Sequence, residues 1–278
     1  MLTTRKALYY LDKGKTKEAI RLLETCWKQE VTTENKRDIF TATVLLSDVL
    51  YQSGEHFPEI YQQLMSILEE MQDLEAVEFE REKAKQIFAE LDEYFSEVGT
   101  FFQGDSLAEL WLEFDYENDY KDVYPTPQRV AAIEAELGYK LPKSYIYLMR
   151  HTQNGGIVST GSVPTIEPSS WSENCVAITG IMGIGNQGIS ALNGMHNTNF
   201  WIEEWGYPDV GLAIADCPSA GHDMVFLDYR NCGKTGEPAV VHIDQEADYK
   251  IMKLADNFEA FILSLYREEY KSKKQEGV

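Results

Sequence analysis

The chain has 278 residues, 44% hydrophobic and 26% charged, with 25 Lys and Arg against 46 Asp and Glu and a formal net charge of −21. That length suits two domains with sizeable cores, and the charge argues against a surface made for nucleic acid or an anionic membrane. With no run of about 18 apolar residues and no basic-then-apolar N-terminal segment, a soluble cytoplasmic protein is expected.

The four cysteines, Cys26, Cys175, Cys217 and Cys232, are few and widely spaced. They suit a reducing compartment rather than a disulfide framework. The acidic excess is spread along the chain: residues 1–98 hold 12 basic and 20 acidic residues, a balance of −8, and residues 99–278 hold 13 and 26, a balance of −13. Such a surface keeps a protein soluble and also speeds the arrival of a basic partner.

Residues 1–98 read as all-helical. Leu8 and Leu11, with Ala7 beside them, share one face of a first helix, which Gly14 breaks. The segment 16–26 carries Ala19, Ile20, Leu22 and Leu23 at helical spacing. The segment 39–51 carries Ala42, Leu45, Leu46, Val49 and Leu50 and stops at Gly54. Phe57-Pro58 opens another helix, with Ile60, Leu64, Ile67, Leu68 and Met71 on one side. A last helix covers 78–98, where EFEREKAKQ is a solvated, mixed-sign face. The helix–Gly–helix cadence repeats after about 40 residues, the range of helical-hairpin repeats. Its first copy resembles a tetratricopeptide hairpin and its second departs from it, so a plain antiparallel bundle is the other reading.

Glycines and polar residues at 98–106 (VGTFFQGDS) mark a domain boundary. The next stretch interleaves Trp111, Phe114, Tyr116, Tyr120 and Tyr124 with Asp115, Glu117, Asp119 and Asp122. It reads as a short helix with rings inward and acids outward, or as a patch for a basic partner. Thr126-Pro127 is a helix start, with Thr as N-cap and Pro in the first turn, and Gly138 is its stop. LGYKLPKSYIYLMRHTQNGG, residues 137–156, is one unit: a helix end, a hinge, a helix opened by Pro142, and a stop at Asn154-Gly155-Gly156.

After Gly156 the pattern turns to strands at 176–182, 210–217, 224–229 and 239–244, the last three separated by short turns rich in Gly, Pro and Asn. That spacing predicts an antiparallel meander. A final helix follows, with Asp256 and Glu259 as a capping box and Phe258, Phe261, Ile262 and Leu265 on one face. Helices, then strands, then a helix define an α+β class with a mostly antiparallel sheet.

The chemistry-bearing patterns are weak. The segment 183–188 matches GxGxxG after a strand, but Asn193-Gly194 interrupts the helix that dinucleotide binding needs. Cys217, His222, Cys232 and His242 lack the close pairing of structural zinc ligands. Cys217 with His222 and Asp223 has the residue types of a thiol nucleophile, yet closeness in a loop is no hydrogen bond. His151 suits a helix C-terminus. Trp171, and Trp201 and Trp205 flanking Glu203-Glu204 with Asp209 beyond, have the composition of an interface hot spot with an acidic rim. The alternative for both tryptophans of that helical pair is the core.

Ordered pieces of the second part resemble one family. IEAELGYKLPKSYIYLMRHTQNGG, AITGIMGIGN, WGYPDVGLAIADCPSAGHDMVFLDYR and GEPAVVHIDQEADYKIMKLADNFEAFI together resemble the SUKH superfamily over about 104–268. The resemblance implies a mixed α+β domain that neutralises toxins by binding, without catalysis. The expected organisation is a helical domain at 1–98, a SUKH-like domain at 104–268 and a tail at 269–278. The expected function is an immunity protein that occludes a cognate toxin domain, basic and of nuclease type, using no cofactor or metal. Trp171, Trp201 and Trp205 would anchor, while Glu203, Glu204, Asp209, Asp115, Glu117, Asp119 and Asp122 would steer. The alternative is a non-catalytic scaffold bridging two protein partners.

Overall fold

The computed structural model describes residues 2–55, 59–60, 62–64, 66, 78–103, 107, 110–112, 119–159 and 161–265. They fall into two compact units divided between Val98 and Gly99.

The first unit is helical: α1 (Leu2–Asp12), α2 (Thr16–Trp27), α3 (Lys36–Ser53) and α4 (Glu78–Glu97). Gly54 takes φ +80° after α3, and Gly54 and Glu55 donate to the carbonyls of Tyr51 and Leu50. Those carbonyls would otherwise lack partners, so glycine both ends the helix and satisfies it. Ala7, Ala19, Leu23, Ile39, Phe40, Leu46 and Leu64 are buried. Leu8 is instead 47% exposed, because Thr4 and Ala7 form the inner face of α1. The expected positions Phe57, Pro58, Ile67, Leu68 and Met71 lie outside the described residues.

The second unit is an α+β domain. Its helices are α5 (Pro127–Leu137), α6 (Lys143–His151), α7 (Thr198–Trp205) and α8 (Phe258–Ser264). Its strands are β1 (Gly156–Ile157), β2 (Ser162–Pro164), β3 (Cys175–Ala177), β4 (Gly180–Ile181), β5 (Gly211–Asp216), β6 (Asp223–Asp228), β7 (Ala239–Asp244) and β8 (Lys250–Ala255). Six form one sheet in the order β1-β4-β5-β6-β7-β8, and β2 pairs with β3 apart from it. All the pairings are antiparallel; β5 to β7 form the expected meander, which β8, a strand the sequence reading did not expect, extends.

Thr126 caps α5 through a bond from the Arg129 N–H, and Gly138 ends it at φ +74°. Buried Glu134 then accepts from the Leu141 N–H at 2.9 Å and pairs with Lys140 at 2.5 Å, which fixes the hinge. Pro142 opens α6 as expected, although α6 stops at His151, three residues before the Asn-Gly-Gly turn. Tyr145 is fully buried; its hydroxyl donates to the Met182 carbonyl and its ring meets Phe258 edge-on at 4.5 Å.

Three expected elements differ. The run 176–182 is not one strand: β3 pairs with β2, while β4 turns into the main sheet. A Cβ on Gly180 would strike the Tyr120 ring, so the chain can pass there only as glycine. Around Trp111 the backbone is extended, with Leu112 donating to Ile157 and Ser159 to Leu110. At α8 the cap is Asn257, whose side chain accepts from the Ala260 N–H, and there is no capping box. Glu259 accepts the Phe102 N–H at 2.7 Å instead, tying α8 to the start of the unit.

Candidate functional site

α7 carries two tryptophans with different fates. Asn197 caps the helix and Gly206 ends it at φ +76°. Trp201 is 8% exposed, donates its Nε1–H to the His196 carbonyl at 3.0 Å and packs edge-on against Tyr207. It belongs to the core, so the expectation that it anchors a partner fails on burial. Trp205 lies 5.5 Å from Trp201 and is half-buried.

The turn between β5 and β6 joins these rings to Trp171. Gly221, at φ +94°, touches Trp201 and Trp205 so closely that a Cβ would fall 2.7 Å from the Trp201 ring. Next to it, His222 meets Trp205 edge-on at 5.7 Å and Trp171 at 6.3 Å. His222 Nδ1 is 2.8 Å from a Glu246 carboxylate oxygen. Trp171 is 50% exposed, and Glu203 and Glu204 are exposed beside Trp205 on α7. Trp171, His222 and Trp205 thus form one partly open aromatic group with carboxylates nearby.

The remaining acids sit elsewhere. Exposed Asp209 lies near Tyr139, whose hydroxyl is raised above its usual range first by burial and then by that charge. Exposed Asp119 accepts the Ser190 N–H through its carbonyl. Asp122 is buried and has internal partners: its carboxylate accepts the N–H groups of Val123, Gln187 and Gly188 at 2.7, 2.7 and 3.1 Å. It is not a free steering charge. Asp115 and Glu117 lie outside the described residues.

Asp122 also explains the glycine-rich loop. A Cβ on Gly185 would fall on its carboxylate, and one on Gly183 or Gly188 would meet the backbone of Asn154, Asp119, Tyr120 or Lys121. Asn154 holds the loop from the other side, accepting the Ile184 N–H and donating to the carbonyls of Ile184 and Val123. The N–H groups that could have met a phosphate meet an internal carboxylate, and no helix follows the glycines as dinucleotide binding requires.

Beneath the aromatic group, the ends of β5, β6 and β7 bury a polar cluster. Cys217 is 2% exposed, Asp223 3%, His242 1% and Asp244 1%. His242 Nε2 and Asp223 Oδ2 are 2.7 Å apart, and Asp244 accepts the Ser170 N–H at 2.7 Å. On β5, Asp216 accepts from the Tyr120 hydroxyl at 2.8 Å and the Gly180 N–H at 3.2 Å. Burial still pushes the Asp216 carboxyl up to about 6 against those two bonds. Burial, followed by the charges of Asp223 and Asp216, holds the Cys217 thiol well above its ordinary range.

A thiol that stays protonated and sealed is a poor nucleophile. His222, the base the sequence places beside it, turns to Glu246. Of the four residues considered for zinc, only Cys217 and His242 come together, and Asp223 joins them. Cys232 bonds to Tyr229 and Gly233 in a different turn. The parts played by Asp216, Asp244 and Tyr120 escaped the sequence reading. The available signal was the row of aspartates ending the apolar strand runs, which reads equally well as turn chemistry.

Among the described residues no helix is long and apolar enough to cross a membrane. The second unit is an α+β domain whose polar centre is closed and whose aromatic group is partly open. Residues 127–262 match the family model described as SUKH_6, SMI1-KNR4 cell-wall, which supports assigning this domain to the SUKH superfamily. The match is consistent with a toxin-immunity role, and the superfamily is generally non-catalytic. No curated protein matches the chain significantly.

Proposed function

We propose that this chain is a cytoplasmic immunity protein that neutralises a cognate toxin domain by stoichiometric occlusion, without chemistry. Residues 104–268 are the binding domain and residues 1–98 a separate helical one. The observation that carries the reading is the open group of Trp171, His222 and Trp205 beside Glu203, Glu204 and Glu246. Large rigid rings next to carboxylates are the make-up of a hot spot with a polar rim. The partner is basic and of nuclease type, because the net charge of −21 attracts such a surface and carboxylates can stand in for a phosphate backbone. Asp209 and Asp119, exposed elsewhere on the domain, add to the long-range field.

The test is co-expression with the toxin-like C-terminal domain encoded next to this chain's gene, followed by co-purification. A one-to-one complex with rescue of growth supports the reading. Glu203→Lys with Glu204→Lys is expected to slow association at least tenfold and to flatten its dependence on salt. Neither complex nor rescue overturns it in favour of a scaffold, for which residues 1–98 become the first bait.

A further inference from the structure

At one end of β5, β6 and β7 the domain buries carboxylates without matching them. Asp216, Asp223 and Asp244 converge there, and among the described residues none pairs with a Lys or Arg; the only ion pair in the group is His242 with Asp223. Among the described residues, three buried atoms of that group have no hydrogen-bond partner: Asp223 Oδ1, His242 Nδ1 and Asp244 Oδ1. A polar atom buried without a partner is destabilising, because it has lost its water and gained nothing in return. Three in one cluster call for an occupant, and its sign must be positive.

The donors specify its kind. Cys217, Asp223 and His242 offer one sulfur, one oxygen and one nitrogen, all within 4.8 Å of one another. Sequence separates them, but the fold does not. The β5–β6 turn returns Asp223 beside Cys217, and the pairing of Val225 with His242 places His242 diagonally from Asp223 on the same face. Magnesium and calcium prefer all-oxygen sites, whereas a thiolate with an imidazole and a carboxylate suits zinc. We infer that Cys217, Asp223 and His242 bind a single Zn²⁺ as a structural centre that pins the turn between β5 and β6.

The charges balance. Zn²⁺ displaces the Cys217 thiol proton to solvent, and the thiolate and the Asp223 carboxylate together neutralise the ion. The 2.7 Å separation of His242 from Asp223 is a hydrogen bond. Zinc bonds of about 2.0–2.3 Å place neighbouring ligand atoms roughly 3.3–3.8 Å apart. Loading therefore replaces this hydrogen bond with the ion: the ring proton moves from Nε2 to Nδ1, the imidazole stays neutral, and the pair opens by less than about 1 Å. Asp244, two residues beyond His242 on the same face of β7, lies outside this three-ligand set and accepts the Ser170 N–H. The pinned turn contains Gly221 and His222, against which Trp205 and Trp171 pack. The ion would thus stiffen the aromatic group, whatever partner that group meets.

The experiment uses the full chain without a histidine tag, expressed with zinc in the medium and purified without chelator. Elemental analysis is expected to find about one Zn²⁺ per chain in the wild type and in Cys232→Ser, and less than a tenth of that in Cys217→Ser. Stripping with a chelator and refilling with Co²⁺ is expected to give the near-ultraviolet charge-transfer band of a cobalt thiolate. Should Cys217→Ser fail to fold, Asp223→Asn and the wild-type cobalt spectrum decide. Wild-type protein that holds no zinc and yields no thiolate band overturns the proposal, because the unpartnered atoms are then served by water alone. Zinc retained at full content by folded Cys217→Ser overturns it equally.

Discussion

Replacing Asp122 by alanine removes the carboxylate that three backbone N–H groups share. Hydrogen bonds to a charged acceptor contribute about 1.5–3 kcal/mol each, but exposed Gln187 and half-exposed Gly188 regain water once the carboxylate is gone. The expected loss is therefore about 2–4 kcal/mol rather than the full sum. Gly185 supplies the control. Its φ is not in the left-handed region, so Gly185→Ala tests space alone, and its Cβ would land on the Asp122 carboxylate. Overpacking of that kind costs about 1–3 kcal/mol. With Asp122 already truncated the space is open, so the double variant should be more stable than additivity allows by at least about 1 kcal/mol. The assay is urea unfolding followed by tryptophan fluorescence, since four of the five tryptophans lie in residues 99–278. Hydrogen exchange at residues 183–188 should rise in Asp122→Ala. Additivity within about 0.5 kcal/mol, with unchanged exchange, would refute the account of this loop as a cradle for an internal carboxylate.

Three further outcomes are expected. Asn257→Ala should destabilise the second unit by about 1 kcal/mol through loss of the α8 cap, while Asp256→Ala leaves the unfolding midpoint unchanged. Trp201→Ala should cost about 3–5 kcal/mol, as a core ring does, whereas Trp171→Ala should leave stability nearly intact and weaken partner binding, read by calorimetry. Asp216 has a folded-state value of about 6 against about 3.9 unfolded, so its contribution is complete below the lower value and lost as pH rises through the upper one. Chelator-treated wild type should therefore gain roughly 2 kcal/mol from this group between pH 7 and pH 4, and Asp216→Asn should flatten that rise in urea titrations at each pH.

Local patterns settled much of this protein from sequence. Thr126-Pro127 and Gly138 bracket α5 because a cap and a left-handed glycine act within a few residues. The strands β5, β6 and β7 declared themselves as apolar runs between turn residues, and their antiparallel order followed from the short connections. The spacing of Trp201 and Trp205 put both on one side of a helix, but not which of them the core would take. β8 went unread because Lys250, Met252, Lys253 and Leu254 favour helix or carry charge; pairing with β7 makes it a strand, at an edge where lysines are tolerated.

What the sequence left undecided depended on distance along the chain. Asp122 looks like a surface acid until Gln187 and Gly188, 65 and 66 residues away, bring their N–H groups to it. Asp256 and Glu259 look like a capping box until Glu259 finds Phe102, 157 residues earlier. Cys217, Asp223 and His242 have no recognisable ligand spacing, because the register of β6 on β7 brings them together. Propensity and capping are decided by neighbours, so sequence reveals them. The fate of a charge depends on which distant donors surround it after the core has closed, and only the tertiary structure supplies those.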